Sequence, residues 1–292
     1  MGTDAATPAF DTANEASGAP GLVNIDGVQS IPAASDITGK SIADQLVEAR
    51  MSWKSYQENL PLEGADRVNY SDGVYSNNTD FSKIQPALNP PLTSGAVVSL
   101  YAAKHNPFVY FQSVQEGRYP GLSLKNSVSF DGADGLYADL ATGNVPAFSF
   151  IAPNQCNDQH GRGNAGPLCN YDPASDGSQA GVNPALIQRG DVAVKTIVSS
   201  IKHSPAWKEG KNAIVLLWDE NDYSTSPNTN KVVLVVDTNY GEHGKQSSTA
   251  YNHFSLLKSI ESAFDLPCLN HACDRNVQVM TDLFGGRVSG WR

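Results

Sequence analysis

Short apolar runs, each cut off by a polar cluster, leave this chain few ways to fold. Ala213 to Leu217 are apolar, lead into Trp218, and stop at Asp219 and Glu220 in "NAIVLLWDEND". "VPAFSFIAPN" carries a mostly apolar run from Ala147 to Ile151, and "KVVLVVD" carries another. Strands apolar on both sides need cover on both faces of their sheet. "SWKSYQ" adds a strand through Trp53 and Tyr56, two good strand formers.

Between these strands the period changes to that of a helix. In "SIADQLVEAR", Ile42, Leu46 and Val47 fall on one helical face, bracketed by Gly39 and Pro61. Residues 133–142 read as a short helix. "GDVAVKTIVSSIKHSP" puts Val194, Ile197, Val198 and Ile201 on one face, with Asp191 as the expected N-cap and Ser-Pro as the stop. In "AYNHFSLLKSIESAF", Leu256, Leu257 and Ile260 are the inward set. Helices alternating with short apolar strands predict an α/β fold with a largely parallel sheet flanked by helices on both faces. Residues 1–37 read as an irregular segment, 38–292 as one domain, and 62–94 as a polar surface insertion.

Composition narrows the function classes. The net charge is −10 and there is no run of Lys or Arg, so nucleic acid is not an expected partner. No apolar segment approaches the about 20 residues of a membrane-spanning helix, so no stable membrane insertion is expected. Oligomeric state is left open. Four cysteines fall in two local pairs, Cys156 with Cys169 and Cys268 with Cys273, without zinc-finger spacing. Two local disulfides in an exported protein explain them better than a metal does. A secreted or periplasmic location follows, although "MGTDAATPAFDTANEASG" has neither the basic nor the apolar part of a signal peptide.

Ligands in open α/β sheets bind beyond the carboxyl ends of the strands. One strand end supplies Asn154, Asn157, Asp158 and His160 within seven residues; another supplies Asp219 and Glu220. Adjacent acids repel unless a cation is near, and carboxylate oxygens suit a divalent ion. Two readings stay open for Asp158 and His160: a polar loop stapled by Cys156, or a site. His105–Asn106 before Pro107 reads equally as a turn. His253 begins a helix that Asn252 caps, and His203, His243 and His271 read as surface residues. GxSxG, P-loop, GxGxxG and HExxH motifs do not occur, which leaves metal-assisted hydrolysis as the best-matched chemistry.

"SIADQLVEARMSWKSYQENLP", "KHNPFVYF", "APNQCNDQHG", "GDVAVKTIVSSIKHSPAWKEGKNAIVLLWDEND" and "YNHFSLLKSIESAFDLP" resemble, in this order, the motifs of the bacterial and fungal phosphoesterase family. That family joins acid phosphatases to non-haemolytic phospholipases C within the alkaline phosphatase-like superfamily. The resemblance covers residues 38–286. It implies an alkaline phosphatase-like fold, a divalent metal ion and a small phosphate ester as substrate. Asp219 and Glu220 resemble the family's metal ligands. His105, Asn106 and His160 resemble the residues around the phosphoryl group, and Asp158 belongs to the same motif as His160.

The family's N-terminal Glu-Asn pair and Ser or Thr nucleophile are not found in residues 1–37. Glu58–Asn59 matches by letter but ends a strand, and receives no such role. The expectation is therefore a C-terminal portion of a longer secreted phosphomonoesterase, impaired without its nucleophile region. A phospholipase C-type diesterase and a non-catalytic binding module on the same fold are the alternatives.

Overall fold

The computed structural model describes residues 39–60, 101, 105–161, 184–221 and 229–285. In chain order the elements are α1 (Ile42–Glu48), β1 (Trp53–Gln57), α2 (Gln112–Gln115), β2 (Ser127–Ser129), α3 (Leu136–Thr142), β3 (Phe148–Ala152), α4 (Pro184–His203), β4 (Ala213–Leu217), β5 (Leu234–Thr238) and α5 (His253–Ala263). The predicted segments 1–37 and 62–94 lie outside the described residues.

β1 is the central strand. It pairs in parallel with β2 through Ser55, Tyr56 and Gln57, and with β3 along its whole length, Trp53 opposite Phe148 and Gln57 opposite Ala152. Alternation along β1 sends Trp53 to one side and Tyr56 to the other. Trp53 joins a core of Leu46, Phe108, Phe111, Leu122 and Leu257, which brings α1 and α5 to that side. Tyr56 joins Val128, Phe130, Leu136, Leu140 and Ile197, which brings α3 and α4 to the other. Helical elements thus cover both faces of a parallel sheet, as the apolar strands required.

The helix ends follow from local chemistry. Ser41 caps α1, its side chain accepting from the Asp44 backbone while the Asp44 carboxylate accepts from the Ser41 backbone. Asn252 and Ser255 form the same reciprocal pair at the start of α5. α4 departs from expectation. It begins at Pro184, not after Asp191, because Arg189 and Gly190 face inward with Leu186, Ala193 and Ile197. A charged residue and a glycine mimic a loop in sequence, yet here they lie on the buried stripe of a helix.

A second difference concerns β4 and β5. They form their own two-stranded sheet and run antiparallel, with Val215 opposite Val236. The Trp218 backbone N–H donates to the Val233 carbonyl at 3.4 Å, which extends the pairing one residue beyond β4. "KVVLVVD" is a strand, but the parallel arrangement belongs to β1, β2 and β3.

Cys268 and Cys273 are disulfide-bonded, and Cys156 is bonded too, its expected partner Cys169 lying outside the described residues. The short Cys268–Cys273 loop is held from below by α5. Glu261 Oε1 accepts from the Leu269 backbone at 2.8 Å, while the Gln45 amide donates to the Pro267 carbonyl. Glu261 Oε2 is buried without a hydrogen-bond partner among the described residues. Burial pushes this carboxyl from 4.5 up to about 7, against the opposing pull of the Leu269 N–H. Folding therefore favours the protonated acid, and the gain is full below pH 4.5 and lost as pH rises through about 7. Thermal melts at about pH 5 and about pH 8 should show a lower midpoint at the higher pH, and Glu261→Gln should shrink that difference. An undiminished difference in the variant would contradict the assignment.

Candidate active site

The carboxyl ends of β1 and β3 lie side by side because the strands are parallel and in register. The polar residues that follow them, and those after Tyr101, meet at this end of the sheet. His105 Nδ1 stands 3.6 Å from Asp158 Oδ2, with side-chain exposures of 25% and 16%. This is an imidazole and a carboxylate brought together across 53 residues of sequence.

Each partner is held by its own surroundings. Asp158 Oδ1 accepts from the backbone N–H groups of His160 at 2.9 Å and Gly161 at 3.3 Å. Burial raises the carboxyl's pKa, while His105, His160 and these two amides oppose the rise. His105 is followed by Asn106, which is fully buried between the strand ends. Asn106 Oδ1 accepts from Ser55 Oγ at 2.8 Å and its Nδ2 donates to Ser127 Oγ at 3.0 Å. Gln57 donates to Ser55 Oγ at 3.0 Å and to the His105 carbonyl at 3.4 Å. Asn106 thus binds β1 to β2 and fixes the residue before it, a role the sequence did not suggest.

His160 is exposed, and its Nδ1 lies 2.9 Å from the Gly161 carbonyl. A carbonyl only accepts, so Nδ1 carries the proton and Nε2 is the acceptor of the neutral ring. Between Asp158 and His160 sits Gln159, in the left-handed region at φ 75°. Its Oε1 accepts from the Trp218 indole N–H at 2.8 Å, and its Nε2 donates to the Ile187 carbonyl at 3.3 Å. Gln159 therefore joins three elements: the loop after β3, the first turns of α4, and the end of β4.

That contact brings the two polar strand ends near each other. Trp218 immediately precedes Asp219 and Glu220, both exposed. The Asp219 carbonyl accepts from His253 Nε2 at 2.7 Å, which ties the same strand end to the start of α5. Two adjacent carboxylates offer hard oxygen donors suited to a divalent ion, which commonly takes about six oxygens. Among the described residues no group of three or more His, Cys, Asp and Glu side chains gathers closely enough to hold a metal.

Gln159, Arg189 and Glu58 are structural participants that the sequence does not single out, and His253, expected only to begin a helix, also binds the Asp219 carbonyl. Of the first three, only Glu58 leaves a mark in the sequence, as half of a Glu-Asn pair.

The phosphoesterase family model matches residues 5–167 and 181–267. The chain belongs to the phosphoesterase family. The match includes residues 5–37, N-terminal to the motifs that carry the resemblance. An acid phosphatase of Aspergillus fumigatus is 26% identical over 254 residues, covering 86% of this chain and 44% of that protein. A phosphate-repressible acid phosphatase of Penicillium chrysogenum is 26% identical over 243 residues, covering 82% of this chain and 46% of that protein. A phosphatidylinositol-3-phosphatase of Mycobacterium tuberculosis is 25% identical over 209 residues, covering 70% of this chain and 54% of that protein. This chain spans less than half the length of the fungal proteins it matches. Within the phosphoesterase family its relatives are named as phosphoric ester hydrolases, and the strand-end site lies in the matched region.

Gly190 makes the Gln159 contacts testable. A Cβ at this position would lie 2.3 Å from Gln159 Cγ. Gly190→Ala should cost about 1–3 kcal/mol through overpacking and shift the Trp218 indole N–H resonance. Urea denaturation should find the Gly190→Ala, Gln159→Gly double variant less destabilised than the two single changes together. Strict additivity would mean that the side chain does not fill this gap.

Proposed function

We propose that this chain carries the phosphoryl-binding end of a metal-assisted phosphoesterase, acting on small phosphate monoesters in the manner of the acid phosphatases it resembles. The His105–Asp158 pair at the strand ends, within motifs matched to the family, is the observation that carries the reading. A carboxylate 3.6 Å from an imidazole favours the protonated ring, which can bind a phosphoryl oxygen or donate to a leaving group. His160, on the same loop, presents a second ring. Asn106 belongs to the support of His105, its amide being spent on Ser55 and Ser127.

A divalent ion bound with help from Asp219 and Glu220 would neutralise phosphate oxygens and acidify an attacking hydroxyl. The protein's own contribution at this end is orientation. Trp218 and Gln159 hold the acid-bearing strand end beside the His160 loop, so a phosphate could meet the two together. The negative net charge and the lack of a basic or long apolar segment favour soluble monoesters over lipid diesters. Export to an oxidising compartment fits the Cys268–Cys273 disulfide.

Hydrolysis of p-nitrophenyl phosphate with added Mg²⁺, Mn²⁺, Ca²⁺ or Zn²⁺ tests the proposal. Metal-dependent turnover should fall at least about 100-fold in both His105→Ala and Asp219→Ala. Comparison with phosphatidylcholine separates a monoesterase from a phospholipase C-type diesterase. A chain that shows neither turnover nor a thermal shift with any of these ions would instead be a binding module on the same fold.

A further inference from the structure

Glu58 is the first residue beyond β1, and it is placed where a carboxylate is costly. It faces a small cleft under α4 lined by Phe130, Tyr137, Ala193, Thr196 and Ile197. Burial pushes its carboxyl up to about 7, opposed by hydrogen bonds from Asn154 and Asn157. An apolar side chain would suit these neighbours better on packing grounds alone.

Among the described residues, the hydrogen bonds of its carboxylate lead to one loop. Glu58 Oε2 accepts from the Asn154 backbone at 2.9 Å, and both carboxylate oxygens lie 3.0 Å from the Asn157 amide nitrogen. The neighbouring Asn59 side chain accepts from Asn154 Nδ2 at 2.7 Å. Asn154 Oδ1 in turn accepts from the backbones of Cys156 and Asn157 at 2.9 and 3.0 Å. On the far side, Asn157 Oδ1 accepts from Arg189 Nη2 at 3.3 Å. A continuous chain of contacts runs from the end of β1, through the loop, into α4. The next residue along the loop is Asp158.

We infer that Glu58 is a positioning residue: it clamps the Asn154–Asn157 turn to the end of β1 and so holds Asp158 against His105. The Glu58–Asn59 pair, which matches the family's Glu-Asn by letter alone, is the anchor of the site's carboxylate. The proposal rests on reading the His105–Asp158 pair as the phosphoryl site, but the positioning itself exists without substrate.

The test is a double-mutant cycle read on the His105 ring by NMR titration of the 292-residue chain. Asp158→Asn should move the His105 titration midpoint in the wild-type background. In the Glu58→Ala background the same change should move it less than half as far. An equal shift in both backgrounds overturns the inference. Should Glu58→Ala fail to fold, Asn157→Ala breaks the clamp from its other side and is read in the same cycle; full coupling there overturns it equally. Glu261→Gln, a buried carboxylate across the sheet, should leave the coupling intact, and a matching loss would show general loosening instead. In wild-type chain that turns over p-nitrophenyl phosphate, Glu58→Ala should lower kcat at least tenfold with KM within about twofold; a change confined to KM would contradict positioning. Absence of turnover in the wild type would count against the functional reading alone, since the titration cycle needs no catalysis.

Discussion

The central strand has a parallel partner on each side and a core on each face. Everything polar at its carboxyl end must therefore find a partner inside the protein. Ser55 and Gln57 turn to the Trp53 side and take up Asn106 and the His105 carbonyl. Glu58 turns to the Tyr56 side and takes up Asn154 and Asn157. One strand end thereby draws in two distant loops, one bearing His105 and the other Asp158. The requirement to satisfy buried polar groups builds the site; the imidazole–carboxylate pair is its consequence.

This division explains what could be read before the structure was known. Helical periodicity predicts α1 and α5, continuous apolar runs predict β3 and β4, and the strand formers Trp53 and Tyr56 predict β1, because none of these signals needs a partner to be named. It missed the first turns of α4, where inward-facing positions are taken by Arg189 and Gly190, residues that hydropathy counts as loop. It missed the antiparallel run of β5 because strand pairing depends on where the connecting chain goes. Residue type and spacing leave His105, Asp158 and His160 open between loop and site, the phosphoryl role comes only from the family resemblance, and the meeting of the first two is hidden because they lie 53 positions apart. Glu58 and Gln159 were harder still. A half-buried carboxylate and a left-handed glutamine have no periodic signature, and their roles exist only through partners on other elements.

The two strand ends contribute different chemistry to the proposed site. On the proposed reading, Asp158 and the histidines would serve recognition of phosphoryl oxygens and proton transfer, while Asp219 and Glu220 would offer hard oxygens to a cation. Gln159 is the physical link between them, and its strained backbone is compensated by bonds to Trp218 and Ile187. Strain of this kind is retained where surrounding contacts over-determine it, and it concentrates at functional sites.

Titration of the ¹⁵N-labelled chain with inorganic phosphate probes the strand-end site most directly. Saturable shifts centred on the His105 and His160 rings and the Trp218 indole N–H, weakened by Asp219→Ala only when Mg²⁺ or Mn²⁺ is present, are the predicted result. Phosphate that perturbs none of these three side chains, with or without a divalent ion, would contradict the assignment of this end of the sheet to phosphate esters.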